Sequence, residues 1–203
     1  SVHSEIKRRS VPELMAYKGN KKIVCLTAYS APIARLIDPA VDLILVGDST
    51  AMVGYGMRDT LSITLQQMTD HGAAVVNATQ QACVVIDMPF GSYQVSPQQA
   101  FENAAFMLAH SGATAVKIEG GVALAETTRF MVERGIPVLA HVGLMPQYVN
   151  TMGGFKAQGM NETAAERIVA DALAHQEAGA FAVVIEGVAE SLGRRITETL
   201  RIP

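Results

Sequence analysis

The stretch "VDLILVGDST", residues 41–50, decides the fold. Five of its first six residues are apolar, and Gly47, Asp48 and Ser49 then end the run. An apolar segment of that length, without alternation, is the pattern of a parallel strand covered on both faces. The carboxylate directly after it lies at the strand's C-terminal end, the rim where parallel α/β proteins carry their chemistry. Taken singly, such an Asp is equally a helix cap or a turn former.

Working outward, the same pattern recurs in "KIVCLTAY" (22–29), "ACVVIDMP" (82–89), "AVKIEGG" (115–121), "PVLAHVG" (137–143) and "AFAVVIEG" (180–187). Helix punctuation separates the runs. Ser96 is placed as an N-cap with Pro97 in the first turn, Gln99 completing a capping box and Gly112 as a stop. A second helix ends on Gly135, a third runs from Asn161 to Gly179, and "AESLGRRITETL" follows the last strand. Repeated strand–helix units give a (β/α)8 barrel or an open doubly wound sheet. "GYG" (54–56) lacks the rest of a dinucleotide fingerprint and there is no P-loop, which weakens the sheet. The expectation is a (β/α)8 TIM barrel in one domain, residues 1–203, with about six of eight β/α units present and "RIP" (201–203) leading toward a seventh strand.

Composition narrows the function classes. Of the 203 residues 49% are hydrophobic and 17% charged, a folded globular balance. A net charge of −3 gives no electrostatic reason for nucleic acid or an anionic membrane as partner, and the absence of Trp leaves few stacking platforms. No apolar run approaches the ~20 residues of a membrane span, and the first residues, "SVHSEIKRRSVPEL", show no leader pattern. A soluble, cytoplasmic protein is expected, with Cys25 and Cys83 as buried, reduced thiols inside apolar runs.

Charges gather where the runs end: Asp48, Asp87, Glu119, His141 and Glu186. Acids collected in one mouth repel unless a positive group sits among them, and a divalent cation such as Mg²⁺ suits hard oxygen ligands. Lys117 and Glu119 stand two residues apart and share a face. Turned inward, that pair would grip an anionic substrate; turned outward, it is a structural ion pair. His141 is open to two readings, a satisfied core histidine or a site residue. Ser49 caps the following turn or binds a carboxylate, and it lacks the G-x-S-x-G elbow of a hydrolase nucleophile. His3, His71, His110 and His175 show no metal-ligand spacing and are expected at the surface.

"LVGDS" (45–49), "DMPFGSY" (87–93), "KIEGG" (117–121), "HVGLMPQ" (141–147), "GGFKAQG" (153–159) and "IEGVAESLGRRITETLRIP" (185–203) resemble, in order and spacing, the ketopantoate (3-methyl-2-oxobutanoate) hydroxymethyltransferase family. The resemblance runs from about Ile23 to Pro203. It implies a (β/α)8 barrel, a homo-oligomer that is usually a decamer, Mg²⁺ as cofactor and 5,10-methylenetetrahydrofolate as co-substrate. Asp48 and Asp87 would bind the metal, with Glu119 a closer or water-bridged third acid. Asp48, Ser49, Asp87 and Lys117 would hold 3-methyl-2-oxobutanoate, Glu186 would accept the proton, and His141 matches a site histidine. The chemistry is coherent: a chelated 2-oxo acid loses its C3 proton to give a metal-stabilised enolate, which attacks the methylene carbon and yields 2-dehydropantoate. Glu186, on an apolar strand, is expected to be partly desolvated and tuned as a base. "NTMGGFKAQG" (150–159) is a loop able to cover the site or simply a surface loop. The chain departs from the family at Thr50-Ala51, beside the first acid, and at Ser30, to which no role is given. Two competing readings are a lyase or mutase of the phosphoenolpyruvate barrels, which usually carry a reactive cysteine in a mobile loop, and an inactive barrel kept for assembly or oxo acid binding.

Overall fold

Alternation along each strand decides what it buries. A computed structural model describes residues 7–203; His3 lies outside the described residues. The elements run α1 (Val11–Met15), β1 (Cys25–Thr27), α2 (Ala31–Ile37), β2 (Leu43–Val46), α3 (Thr50–Val53), α4 (Leu65–Ala78), β3 (Cys83–Asp87) and α5 (Pro97–Ser111). They continue with β4 (Ala115–Glu119), α6 (Ala125–Val132), β5 (Val138–Gly143), α7 (Val149–Met152), α8 (Glu162–Glu177), β6 (Ala182–Glu186) and α9 (Glu190–Thr199). All six apolar runs form strands. They pair in parallel in the order β1-β2-β3-β4-β5-β6. A doubly wound sheet reverses its strand order at a switch point. No reversal occurs among the described strands, and the architecture is that of a (β/α) barrel wall.

Residues one apart along the strands enter different cores. Ile44, Val46, Val84, Ile86, Val116 and Ile118 pack outward with Met68 and Val75 of α4 and Met107 of α5. Leu43, Cys83, Val85, Ala115 and Leu139 pack inward, with Leu14 of α1 closing the N-terminal end. Each fully buried Val, Leu, Ile or Met among them contributes roughly 1.5–3 kcal/mol. The expectation of two covered faces fails at β1, where Cys25 is exposed and Leu26 is 49% exposed. Its physical reason is position, since β1 has β2 on one side and no strand on the other among the described residues. Cys83 is buried as expected, and both thiols are free.

The helix signals held with two corrections. Ser96 caps α5 by accepting the Gln99 N–H, and Gly112 ends it at φ 75°. Gln99 does not complete a capping box; its carbonyl accepts the Val95 N–H instead. His175, expected at the surface, is buried in α8. Its Nε2 donates to the Gly120 carbonyl (2.9 Å) and its Nδ1 faces the Thr128 hydroxyl (2.9 Å). His110 is exposed, while half-buried His71 bonds the Tyr29 carbonyl and the Tyr55 hydroxyl.

The N-terminal ends of the strands are stitched by side chains. The Asp38 carboxylate accepts the N–H groups of Gln80, Gln81 and Ala82. Arg8 donates to the carbonyls of Val76, Thr79 and Ala82. Asp42 takes the Val24 N–H, Lys21 and Arg9. A cavity of about 740 Å³ lies among the lower strand halves, lined by Cys25, Leu43, Leu139, Val184 and Pro203, away from the rim described next.

Candidate active site

The inward set carries the chemistry simply by continuing. Stepping two residues along each strand leads from Val85 to Asp87, from Ala115 to Lys117 and Glu119, from Leu139 to His141, and from Val184 to Glu186. The barrel interior is therefore apolar below and charged at the C-terminal rim. Register then sets the neighbours, since Asp87 pairs with Lys117 and Glu119 with His141 across adjacent strands.

Lys117 sits at the centre, 3.3 Å from Asp87 Oδ1, 3.6 Å from Glu119 Oε1 and 3.0 Å from His141 Nδ1. Of its two sequence readings, the inward one is correct: Lys117 and Glu119 are 3% and 1% exposed. Burial works against the Lys117 charge, but Asp87, Glu119 and Asp48 outweigh it and the pKa is raised. Burial likewise pushes Glu119 up, while Lys117 and His141 prevail and hold it down. These two form a compensated buried ion pair.

Asp48 and Asp87 are compensated less completely. Asp48 stands in the turn after β2, where its N–H donates to Asp87 Oδ2 at 3.0 Å. Burial first, and the Asp87 charge second, push its carboxyl up to about 7. Asp87 is raised by burial against the pull of Lys117. Its Oδ1 is buried without a hydrogen bond; Lys117 is near enough to attract it but is not aligned. A side chain at Gly47 would put its Cβ 2.9 Å from Ser49 Oγ, so glycine there keeps room beside Asp48 and Asp87. Two crowded carboxylates with a spare oxygen fit a divalent cation, which would let both ionise. Glu119 fits as a direct ligand less well, because Lys117, His141 and the Gln147 N–H already face its two oxygens. No three His, Cys, Asp or Glu side chains among the described residues form a metal site by themselves.

His141 is buried between Lys117 and Glu186, with Nε2 3.2 Å from Glu186 Oε2 but off the hydrogen-bonding angle. Burial and the Lys117 ammonium lower its pKa, and Glu119 and Glu186 overcome them to raise it. Glu186 itself departs from expectation. Its side chain is 46% exposed, because it lies at the open end of the outermost described strand. Ser49 is half-buried and bonds the Tyr29 hydroxyl at 2.7 Å. The loop after α7 reaches the rim through Gln158, whose N–H donates to the Gly187 carbonyl at 2.7 Å.

Three site residues escaped the sequence reading: Gln147, Tyr93 and Tyr29. Gln147 and Tyr93 bond each other at 2.5 Å beneath Asp48 and Glu119. Uncharged residues after a strand carry no signal of their own, although both lie within motifs already noted, "HVGLMPQ" and "DMPFGSY". Neither cysteine is in a loop, since Cys25 is in β1 and Cys83 in β3, which removes the feature a lyase or mutase reading needs.

Comparison with known proteins identifies the fold and the family. Among solved structures, phosphonopyruvate hydrolase complexed with oxalate and Mg²⁺ superposes with a TM-score of 0.70 at 13% identity, over 96% of this chain and 71% of that one. Phosphoenolpyruvate phosphomutase from Streptomyces platensis gives 0.63 at 16% identity, over 87% and 64%. These likenesses concern the fold. In sequence, 3-methyl-2-oxobutanoate hydroxymethyltransferase of Bordetella petrii is 58% identical over all 203 residues, 74% of that protein's length. Hydroxymethyltransferase 1 of Pseudomonas aeruginosa is 59% identical over the same share. The family model for ketopantoate hydroxymethyltransferase matches residues 8–203, and the chain belongs to that family.

Proposed function

We propose that this protein transfers a hydroxymethyl group from 5,10-methylenetetrahydrofolate to 3-methyl-2-oxobutanoate, giving 2-dehydropantoate for pantothenate synthesis. The observation that carries the reading is the unbroken contact series Asp48–Asp87–Lys117–His141–Glu186, drawn from five strands to one rim. Family membership and the names of the relatives support 3-methyl-2-oxobutanoate as acceptor of a hydroxymethyl group; the folate donor follows from the resemblance in sequence.

Asp48 and Asp87 would hold Mg²⁺, which when bound polarises the keto oxygen and acidifies C3. Lys117 offers a buried positive charge to the oxo acid's carboxylate, and Ser49 a hydroxyl already oriented by Tyr29. Glu186 is the base. Its exposure leaves it open to the incoming C3–H, and His141 beside it steadies the carboxylate and shares the proton it gains. The C3 carbon then attacks the methylene carbon of the folate, forming the C–C bond as the first carbon–nitrogen bond breaks. A water supplies the hydroxyl oxygen as the second carbon–nitrogen bond breaks, giving the hydroxymethyl group and tetrahydrofolate. The same reading takes the protein as a cytoplasmic homo-oligomer, a decamer by family habit, with exposed Leu36 and Val53 as candidates for subunit contact.

The test is exchange of the C3 proton of 3-methyl-2-oxobutanoate into deuterated water. Wild-type protein is expected to exchange it with Mg²⁺ and not without. Glu186→Gln should slow exchange at least ~100-fold while leaving oxo acid binding nearly unchanged. Absence of exchange would sink the enolate route, exchange that ignores Mg²⁺ would remove the metal from it, and full exchange by Glu186→Gln would remove Glu186 from its role.

A further inference from the structure

Asp48 is held by a residue to which neither strand pattern nor family resemblance gave a role. Gln147 lies in the 3-10 turn Pro146–Tyr148 that follows β5, and it is 4% exposed. Its amide is fully used. Nε2 donates to Asp48 Oδ2 (2.8 Å) and to the Met88 carbonyl (2.9 Å). Oε1 accepts from the Tyr93 hydroxyl (2.5 Å) and from Gln94 Nε2 (3.2 Å). Its main-chain N–H donates to Glu119 Oε2 at 3.0 Å.

Two donors and two acceptors are all that a primary amide has. The Met88 carbonyl accepts only, so it fixes which end of the amide faces Asp48; the flipped amide would set a carbonyl against a carbonyl and a carboxylate. Tyr93 is fixed in turn, because its oxygen accepts the Glu119 N–H at 3.0 Å while its hydrogen goes to Gln147. In a buried network of this kind every member is held by the others. A turn with only a structural duty would need none of these bonds to reach Asp48.

We propose that Gln147 is a positioning residue for the metal centre: by holding Asp48 Oδ2 it fixes the orientation of the carboxylate that would ligate the cation. The inference rests on the reading of Asp48 as a Mg²⁺ ligand. Groups that orient a ligand in this way typically govern metal affinity by about 10–100-fold. Tyr93 acts one step further out, by holding Gln147.

The experiment is calorimetric titration of metal-free, full-length protein with Mg²⁺, using wild type, Gln147→Met and Tyr93→Phe. Methionine keeps the length of the side chain and the main-chain N–H to Glu119, and loses only the amide. Gln147→Met is expected to bind Mg²⁺ at least ~10-fold more weakly, with excess Mg²⁺ restoring turnover, and Tyr93→Phe to bind ~2–5-fold more weakly. A fold defect is read separately, by circular dichroism of the metal-free variant. Wild type that binds Mg²⁺ alongside a folded Gln147→Met that binds it equally well would overturn the inference alone. If Gln147→Met does not fold, unchanged affinity in Tyr93→Phe overturns it. Wild type that binds no Mg²⁺ would overturn the metal reading and this inference with it.

Discussion

Single residues at the rim work against the stability of the fold. Asp48 carries the plainest conflict, because its carboxyl is pushed up to about 7 by burial and by Asp87. The raised value means the folded protein holds that proton more tightly than the unfolded chain, whose Asp titrates near ~3.9. Stability is therefore unaffected by this group below ~3.9 and declines as pH rises from there toward 7. Asp48→Asn removes the burden. In metal-free protein at pH 8 the variant should be more stable by on the order of 1 kcal/mol in urea unfolding, with the gain vanishing toward pH 4. With Asp48 as a metal ligand, as proposed above, its activity should fall at least ~100-fold, since an amide of the same size would replace an ionic ligand with a neutral one. A variant that lost stability at pH 8 would show that the carboxylate was compensated after all.

At the scale of elements, helices are seated on the sheet by contacts too close to admit a side chain. Gly72, in the middle of α4, faces Ile86 of β3, and a Cβ there would come within 2.1 Å of Ile86 Cδ1 and 3.2 Å of the Ser111 Cβ. Gly72→Ala should destabilise by about 1–3 kcal/mol despite alanine's better helix propensity. Ile86→Val deletes the Cδ1 in conflict, so the double variant should recover part of that loss, a coupling that a double-mutant cycle reads directly. Strands and helix stops were legible in the sequence because unbroken apolar runs and Ser, Asn and Gly punctuation are local signals. The exposure of β1 and the burial of His175 were not, because each depends on a neighbour distant in the chain. The charged site residues were legible for a related reason: a charge at the end of an apolar strand stands out, whereas Gln147 and Tyr93 act through bonds to partners 99 and 26 residues away.

Across the whole molecule the two ends of the strands divide their duties. The lower end is held by Asp38, Arg8 and Asp42, and Asp42 gives it a pH dependence. Burial pushes the Asp42 carboxyl up, but Lys21, the Val24 N–H and Arg9 outweigh it and the pKa is lowered. A depressed acid stabilises above its unfolded value of ~3.9, and that contribution is lost as pH falls through the lower folded value. Asp42→Asn should cost about 1 kcal/mol at pH 7, less in high salt because Lys21 is half exposed, and the gap from wild type should close in acid. Denaturant unfolding across pH 2–7 measures it. The Asp38 clasp has a different kind of consequence. It gathers three consecutive N–H groups ahead of β3 without touching any rim residue. Loops at the opposite end can then drift in sequence, lengthen or acquire new substrates while β2 and β3 stay in register. A change at the mouth need not disturb the strands at their foot.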